Sequence, residues 1–233
     1  MKAINNFIIE KLRLGKDTKA NMYKYHPKTR EELRNILEKR LKRNKNANLN
    51  DIDVSEITDM GSDYGQGLFE GLKPHNINIS EWDVSNVENM QYMFFRCENF
   101  NPDLSNWDVS NVTDMRYMFY GCKDFNSDLS NWDVRNVTNM DNMFYGCKDF
   151  NSNLSKWNVS NVINMNGMFW LCKNFNSDLS KWNVKEVKNM GYMFGHSNFN
   201  GDISNWDVSN IKDMNSMFYD CPLEKNPPKW YHE

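Results

Sequence analysis

The residues best suited to chemistry recur at a fixed interval. Cys97, Cys122, Cys147 and Cys172 lie 25 residues apart, and Cys221 resumes the column after Gly195-His196-Ser197, which is one position short and lacks the thiol. Cysteines in such a series can cross-link or bind metal, but their number is odd and no C-x-x-C or H-x-x-x-H spacing exists. Each thiol falls once per period on an apolar stripe, so a buried ladder of free thiols is expected. His26, His75, His196 and His232 sit in unrelated contexts, and no Ser/His/Asp or Cys/His constellation forms. No catalytic residue, metal or cofactor is therefore expected. Asp103, Asp128, Asp178 and Asp202 also recur, and repeated carboxylates bind calcium in some repeat proteins. Here the glycine-rich turn of such sites is missing and Asn153 replaces one acid, so these side chains are read as turn caps. Asn101, Asn126, Asn151, Asn176 and Asn200 are read as an internal ladder that satisfies loop backbone.

What positions these columns is a tandem unit. Trp82, Trp107, Trp132, Trp157, Trp182, Trp206 and Trp230 are separated by 25, 25, 25, 25, 24 and 24 residues. The 15 Met, 8 Trp and 37 Asn of this 233-residue chain are the copy number of that unit. One copy runs from Leu129 to Asn153, a degenerate copy opens the array at Ile52 to Ile57, and a truncated copy ends at Trp230, giving roughly seven coils plus caps. Within a copy, Trp132 and Val134 alternate with polar residues as in a half-buried strand. Met140, Met143, Phe144 and Cys147 fall at i, i+3, i+4 and i+7, as on one stripe of a two-turn helix. The expected fold is α/β: a β/α solenoid with a parallel strand ladder, short helices and an N-terminal helical cap. Met pairs such as Met115/Met118 and Met165/Met168 share the stripe with Phe and Cys and are assigned to the core.

The tandem motif F-N-x-D-L-S-x-W-[DN]-V-S-N-V-x-[DN]-M-x-x-M-F-x-x-C resembles the bacterial surface protein repeat of about 25 residues, related to BspA-like leucine-rich repeats. The resemblance covers about residues 50 to 221. It implies a leucine-rich-repeat-like solenoid used for binding or adhesion rather than catalysis, on secreted proteins or lipoproteins.

In such an array the variable positions carry specificity. The residues flanking Trp and Val line one face, on which Asp83 and Asp108 of the early coils give way to Arg135, Lys156, Lys181 and Lys185 in the middle ones. An anionic partner surface is the expected ligand of the basic part. A second candidate is the aromatic column after the helical Phe, with Tyr120, Tyr145, Trp170 and Tyr219 as a docking strip. A buried Trp170 indole would remove that reading.

The formal net charge of −3 divides into +9 over residues 1–50 and −12 over the rest. Within the basic part, Thr29 and Glu32 stand in capping-box register before Leu33, Ile36, Leu37 and Leu41, predicting a capping helix in residues 27–50. Ahead of it, Ile4, Phe7, Ile8 and Leu12 can line a docking leader helix within residues 1–26. The leader lacks the features of a signal peptide or lipobox, and no apolar run is long enough to span a bilayer. It resembles leaders on proteins of large tailed phages of gut bacteria, which implies a sorting tag. Nucleic-acid binding is disfavoured, because the basic residues surround apolar stripes, lack stacking aromatics and adjoin an acidic body. The sequence thus points to a non-enzymatic module that binds a protein or surface ligand, of open oligomeric state. The alternative is a structural or packaged component of a phage particle or other assembly, recruited through its leader. The expected location is cytoplasmic or virion-associated, with the cell surface as the alternative implied by the family.

Overall fold

The computed structural model describes residues 23–62 and 66–232. Seven coils follow one another, opening at Leu49, Ile79, Leu104, Leu129, Leu154, Leu179 and Ile203, each of which is buried. In chain order these are the first to the seventh coil.

Each coil is a chain of β-turns rather than a strand followed by a helix. In the fourth coil the Trp132 N–H donates to the Leu129 carbonyl at 3.1 Å, and the Val137 N–H to the Val134 carbonyl at 3.0 Å, so the Trp-x-Val segment links two turns. Between Met140 and Cys147 the amides split their bonding. Met143, Tyr145 and Cys147 donate three residues back, to Met140, Asn142 and Phe144. Met140, Asn142, Phe144 and Gly146 instead donate to Asn164, Asn166, Met168 and Trp170 of the next coil, at 2.9, 2.7, 3.1 and 2.7 Å. A helix would need all of these amides for its own axis. Asn142 (φ 52°) and Gly146 (φ 73°) occupy the left-handed region at the third position of their turns, which also breaks helical geometry.

The expected β/α solenoid with a parallel strand ladder and short helices is therefore incorrect. Among the described residues parallel pairing occurs only as isolated bridges, such as Asn89 to Asp114, Asp114 to Asn139 and Asn139 to Asn164. The apolar spacing that suggested a helix is matched equally by turns closing every three residues, so periodicity alone does not separate the two.

The predicted columns do form the core. Phe94, Phe119, Phe144, Phe169 and Phe194 are fully buried and stack at 5.5, 5.6, 5.8 and 5.8 Å along the array. Each indole of the regularly spaced Trp column donates its Nε1–H to the carbonyl that opens the preceding coil, as from Trp132 to Leu104 at 3.0 Å. A buried tryptophan nitrogen needs such a partner. The asparagine ladder is present: the side-chain oxygen of Asn126 accepts the Asn151 N–H at 2.8 Å, and that of Asn151 accepts the Asn176 N–H at 3.0 Å. Ser152, buried, offers its hydroxyl oxygen to the Leu129 N–H at 2.8 Å.

The five cysteines are free and buried. Cys122, Cys147 and Cys172 point their Sγ at the Phe94, Phe119 and Phe144 carbonyls, each at 3.0 Å, and burial raises all three thiols above their ordinary range. A thiol reagent applied to native protein should modify these three at least a hundredfold more slowly than in denaturant, with Cys221, in the last coil, reacting first. Rapid native labelling of Cys147, read by mass spectrometry, would contradict this packing.

Helix α1 (Arg30–Arg43) covers the start of the stack. The Thr29 hydroxyl accepts the Glu32 N–H at 3.2 Å, and the Glu32 carboxylate accepts the Lys28 N–H at 2.6 Å, so one donor of the first turn and the amide just ahead of the cap are satisfied. Leu33, Leu37 and Leu41 lose all solvent exposure in joining the core. The polar counterpart is made by arginines. In later coils the carbonyls of Arg116, Met118 and Tyr120 accept amides from the coil before. Their counterparts in the first coil have no preceding coil. There Gln66 O accepts from Arg30, while Leu68 O and Glu70 O accept from Arg34 Nη1 at 2.8 and 2.9 Å. At the other end Trp230 stacks on Trp206 at 6.3 Å and Tyr231 packs against Phe218 at 4.9 Å. No helix among the described residues is long and apolar enough to cross a membrane.

Candidate functional site

Two surfaces carry the residues singled out in the sequence. The first is the polar face formed by the turns around Trp and Val. The buried Trp132 and Val134 force Asn131, Asp133 and Arg135 outward, and the same parity holds in every coil. The columns stay in register because the Asn136 side chain donates to the Ser110 carbonyl at 2.7 Å, and Asn161 does the same to Arg135. Asp83 and Asp108 are exposed, and each carboxylate also accepts the N–H two residues on, from Ser85 at 3.2 Å and Ser110 at 3.0 Å. Together with Tyr23 and Glu81 they line an open groove of about 550 Å³. Burial raises the Tyr23 phenol above its usual range, and Asp53, Asp83 and Glu81 push it in the same direction. Lys156, Lys181 and Lys185 are exposed on the same face, two to four coils along. Arg135 is tied to its own coil, its Nε donating to Asp133 at 2.8 Å.

The acid column that opens each repeat caps turns. Asp128 accepts the Ser130 N–H at 2.9 Å and Asp178 accepts that of Ser180 at 2.9 Å, and these hydrogen bonds hold both carboxyls below the usual range. Carboxylates so engaged are part of the backbone's own bonding.

The second surface is the aromatic strip. Phe95, Tyr120, Tyr145 and Trp170 are half-buried and follow one another at 5.0, 4.4 and 6.2 Å with nearly parallel planes. The indole of Trp170 thus keeps an exposed portion. The strip then crosses the sixth coil without a residue from it: Trp170 reaches Tyr219 at 6.4 Å. Gly195 makes this possible, since a Cβ there would stand 2.1 Å from the Trp170 ring. Tyr219 is 51 % exposed. Because ring faces are used up by neighbours, the strip offers mainly ring edges and polar tips.

Sequence reasoning missed several members of this surface. The His196 ring stands edge-on to both Trp170 at 4.8 Å and Tyr219 at 5.0 Å, and its Nδ1 lies 2.7 Å from Asp220 Oδ2. Tyr92 and Tyr117 form a parallel second row, stacked at 4.6 Å, and Tyr192 adds a 46 % exposed ring. Burial and the neighbouring Asp141 push the Tyr117 phenol up to about 12, keeping it a donor at neutral pH. For the tyrosines the signal was available at the second variable position of M-x-x-M, where Tyr92, Tyr117 and Tyr192 recur. The proposed leader residues Ile4, Phe7, Ile8 and Leu12 lie outside the described residues.

In comparisons with known proteins, the chain matches a family described as "Mycoplasma protein of unknown function, DUF285", over residues 31–157 and again over residues 127–230. No curated protein and no solved structure matches it.

Proposed function

For a chain that belongs to this Mycoplasma repeat family of unknown function, we propose a non-catalytic role: the coils form a rigid scaffold whose aromatic strip docks a protein or surface ligand. The observation that carries this reading is the half-buried row Tyr120, Tyr145, Trp170 and Tyr219, continued across Gly195. Tyr120, Tyr145 and Trp170, each stacked on both sides, lose little freedom on binding, and Tyr and Trp are the residue types that anchor interfaces. The groups that would serve catalysis are engaged elsewhere: the thiols point into the core and the repeated carboxylates cap turns. The motif shared with BspA-like repeats supports the same assignment to adhesion or partner binding.

The native protein should be purified with its bound partner and the partner identified. Its affinity is then compared with that for a Tyr145→Ser/Trp170→Ser variant. Truncating two anchors should weaken binding at least thirtyfold, corresponding to about 2 kcal/mol. The circular dichroism spectrum should stay unchanged. Equal affinity in a folded variant would remove the strip from the interface.

A further inference from the structure

We propose that the polar turn face pairs with the same face of a second copy of this chain, in an antiparallel two-fold dimer centred on the fourth coil. The argument rests on how charge is ordered along the stack. The second and third coils present Glu81, Asp83 and Asp108, all exposed, and the fifth and sixth present Lys156, Lys181 and Lys185, also exposed. Three acids and three bases therefore lie symmetrically about the fourth coil, where Asp133 and Arg135 neutralise each other at 2.8 Å.

An isologous interface brings residue i against j and j against i, so a face with such order is its own complement. Two orientations bring the faces together. With the stacks parallel, each coil meets its own copy and acid faces acid, which is unfavourable. With the two-fold axis lying across the stack at the fourth coil, the second coil meets the sixth and the third meets the fifth.

That second arrangement has a column-by-column fit. Glu81 falls opposite Lys181. Asp83 falls opposite Asn183, between Lys181 and Lys185, and Asp108 falls opposite Asn158, next to Lys156. In this column an acid stands at Asp53, Asp83, Asp108, Asp133 and Asp207, but Asn stands at the two positions that would face Asp83 and Asp108; Asp53, which falls opposite Asp207, lies 3.3 Å from His26 Nδ1. The turns do not require that change: Asn158 and Asn183 accept the N–H of Ser160 and Lys185 at 3.2 Å, as Asp83 accepts that of Ser85. The exchange of Asp for Asn thus keeps the acceptor for the turn N–H and removes like-charge contact at these two positions of the dimer. The groove lined by Tyr23, Glu81, Asp83 and Asp108 would receive the lysine side chains.

The face is narrow and polar, with its charged ends only roughly 19 Å apart at about 4.8 Å per coil, so the dimer is weak and salt-dependent. Sedimentation equilibrium of the full chain, at high micromolar concentration, tests it directly. Dimer is expected at low ionic strength, with the dissociation constant rising at least tenfold at about 0.5 M salt, where screening is nearly complete. K156E/K181E/K185E and E81K/D83N/D108N, the latter keeping the turn acceptors, should each be monomeric alone. Mixed in equal amounts they should form a heterodimer, because at these six positions one face then carries only carboxylates and the other carries lysines and no carboxylate. A wild type that stays monomeric at low salt overturns the proposal. So do dimers that survive in either variant alone, or a mixture of folded variants that does not associate.

Discussion

Replacing Phe144 by alanine should destabilise the stack by about 3–5 kcal/mol, the range for removing a large aromatic side chain from a rigid core. Phe144 is fully buried and contacts Phe119 at 5.6 Å, Phe150 at 4.0 Å and Phe169 at 5.8 Å, so its loss leaves a cavity touched by three coils. Phe119 and Phe169 cannot collapse into that space, because their N–H groups are held by Met143 O and Met193 O of the next coil, each at 2.9 Å. The core rings and amide bonds join adjacent coils, so the deletion should also split unfolding into two parts. The equivalent Phe218→Ala change should cost less. Phe218 has a ring neighbour on the coil side in Phe194 at 6.1 Å, and otherwise only the terminal Trp230 and Tyr231. Denaturant titration with hydrogen exchange reads both effects. A loss below about 1 kcal/mol for Phe144→Ala would mean that the core is far looser than this stacking requires.

The second large effect is expected at the capping helix. Arg34→Met keeps the aliphatic stem but removes the guanidinium that serves the carbonyls of Leu68 and Glu70. These atoms are one end of the ladder that from the third coil on is satisfied by backbone amides. Charge-assisted bonds to partly buried carbonyls are worth about 1.5–3 kcal/mol each, and partial hydration of the opened edge reduces the sum, so a loss of about 2–3 kcal/mol is expected. The location of the loss is diagnostic. Amide exchange should accelerate in α1 and in the first and second coils, while the fourth and fifth keep their protection. Uniform acceleration, or none, would show that the helix covers the stack through Leu33, Leu37 and Leu41 alone. Lysine at position 34 should recover only part of the loss, because one ammonium cannot reproduce the guanidinium's fixed fork.

Both expectations concern residues of different legibility. Phe144 belongs to the core by sequence alone, because Phe, Met and Cys recur together at one spacing and nothing polar ever enters the Phe column. Arg34 has no such signal: on the sequence it is one basic residue in a helix rich in them, and only the first coil's uncovered carbonyls give it a task. The candidate surfaces divide in the same way. The columns containing Lys156, Lys181, Asp83 and Asp108 follow from alternation around Trp and Val. The run from Trp170 over Gly195 to Tyr219 does not, because the glycine looks like a defect in the repeat until the indole is seen to occupy its place.

The repeat itself settles the length of the unit, which side chains are buried and the asparagine ladder, and the capping-box residues Thr29 and Glu32 settle the start of the helix ahead of it. These depend on residue type and spacing within one copy, and burial of apolar residues follows from them without knowledge of the backbone path. Whether a segment is strand, helix or turn was decided only by tertiary structure. An amide between Met140 and Cys147 can bond three residues back or across to the next coil, and the choice depends on an acceptor about 24 residues further along. Neighbouring coils drew every second amide outward, which left turns where the local pattern suggested a helix.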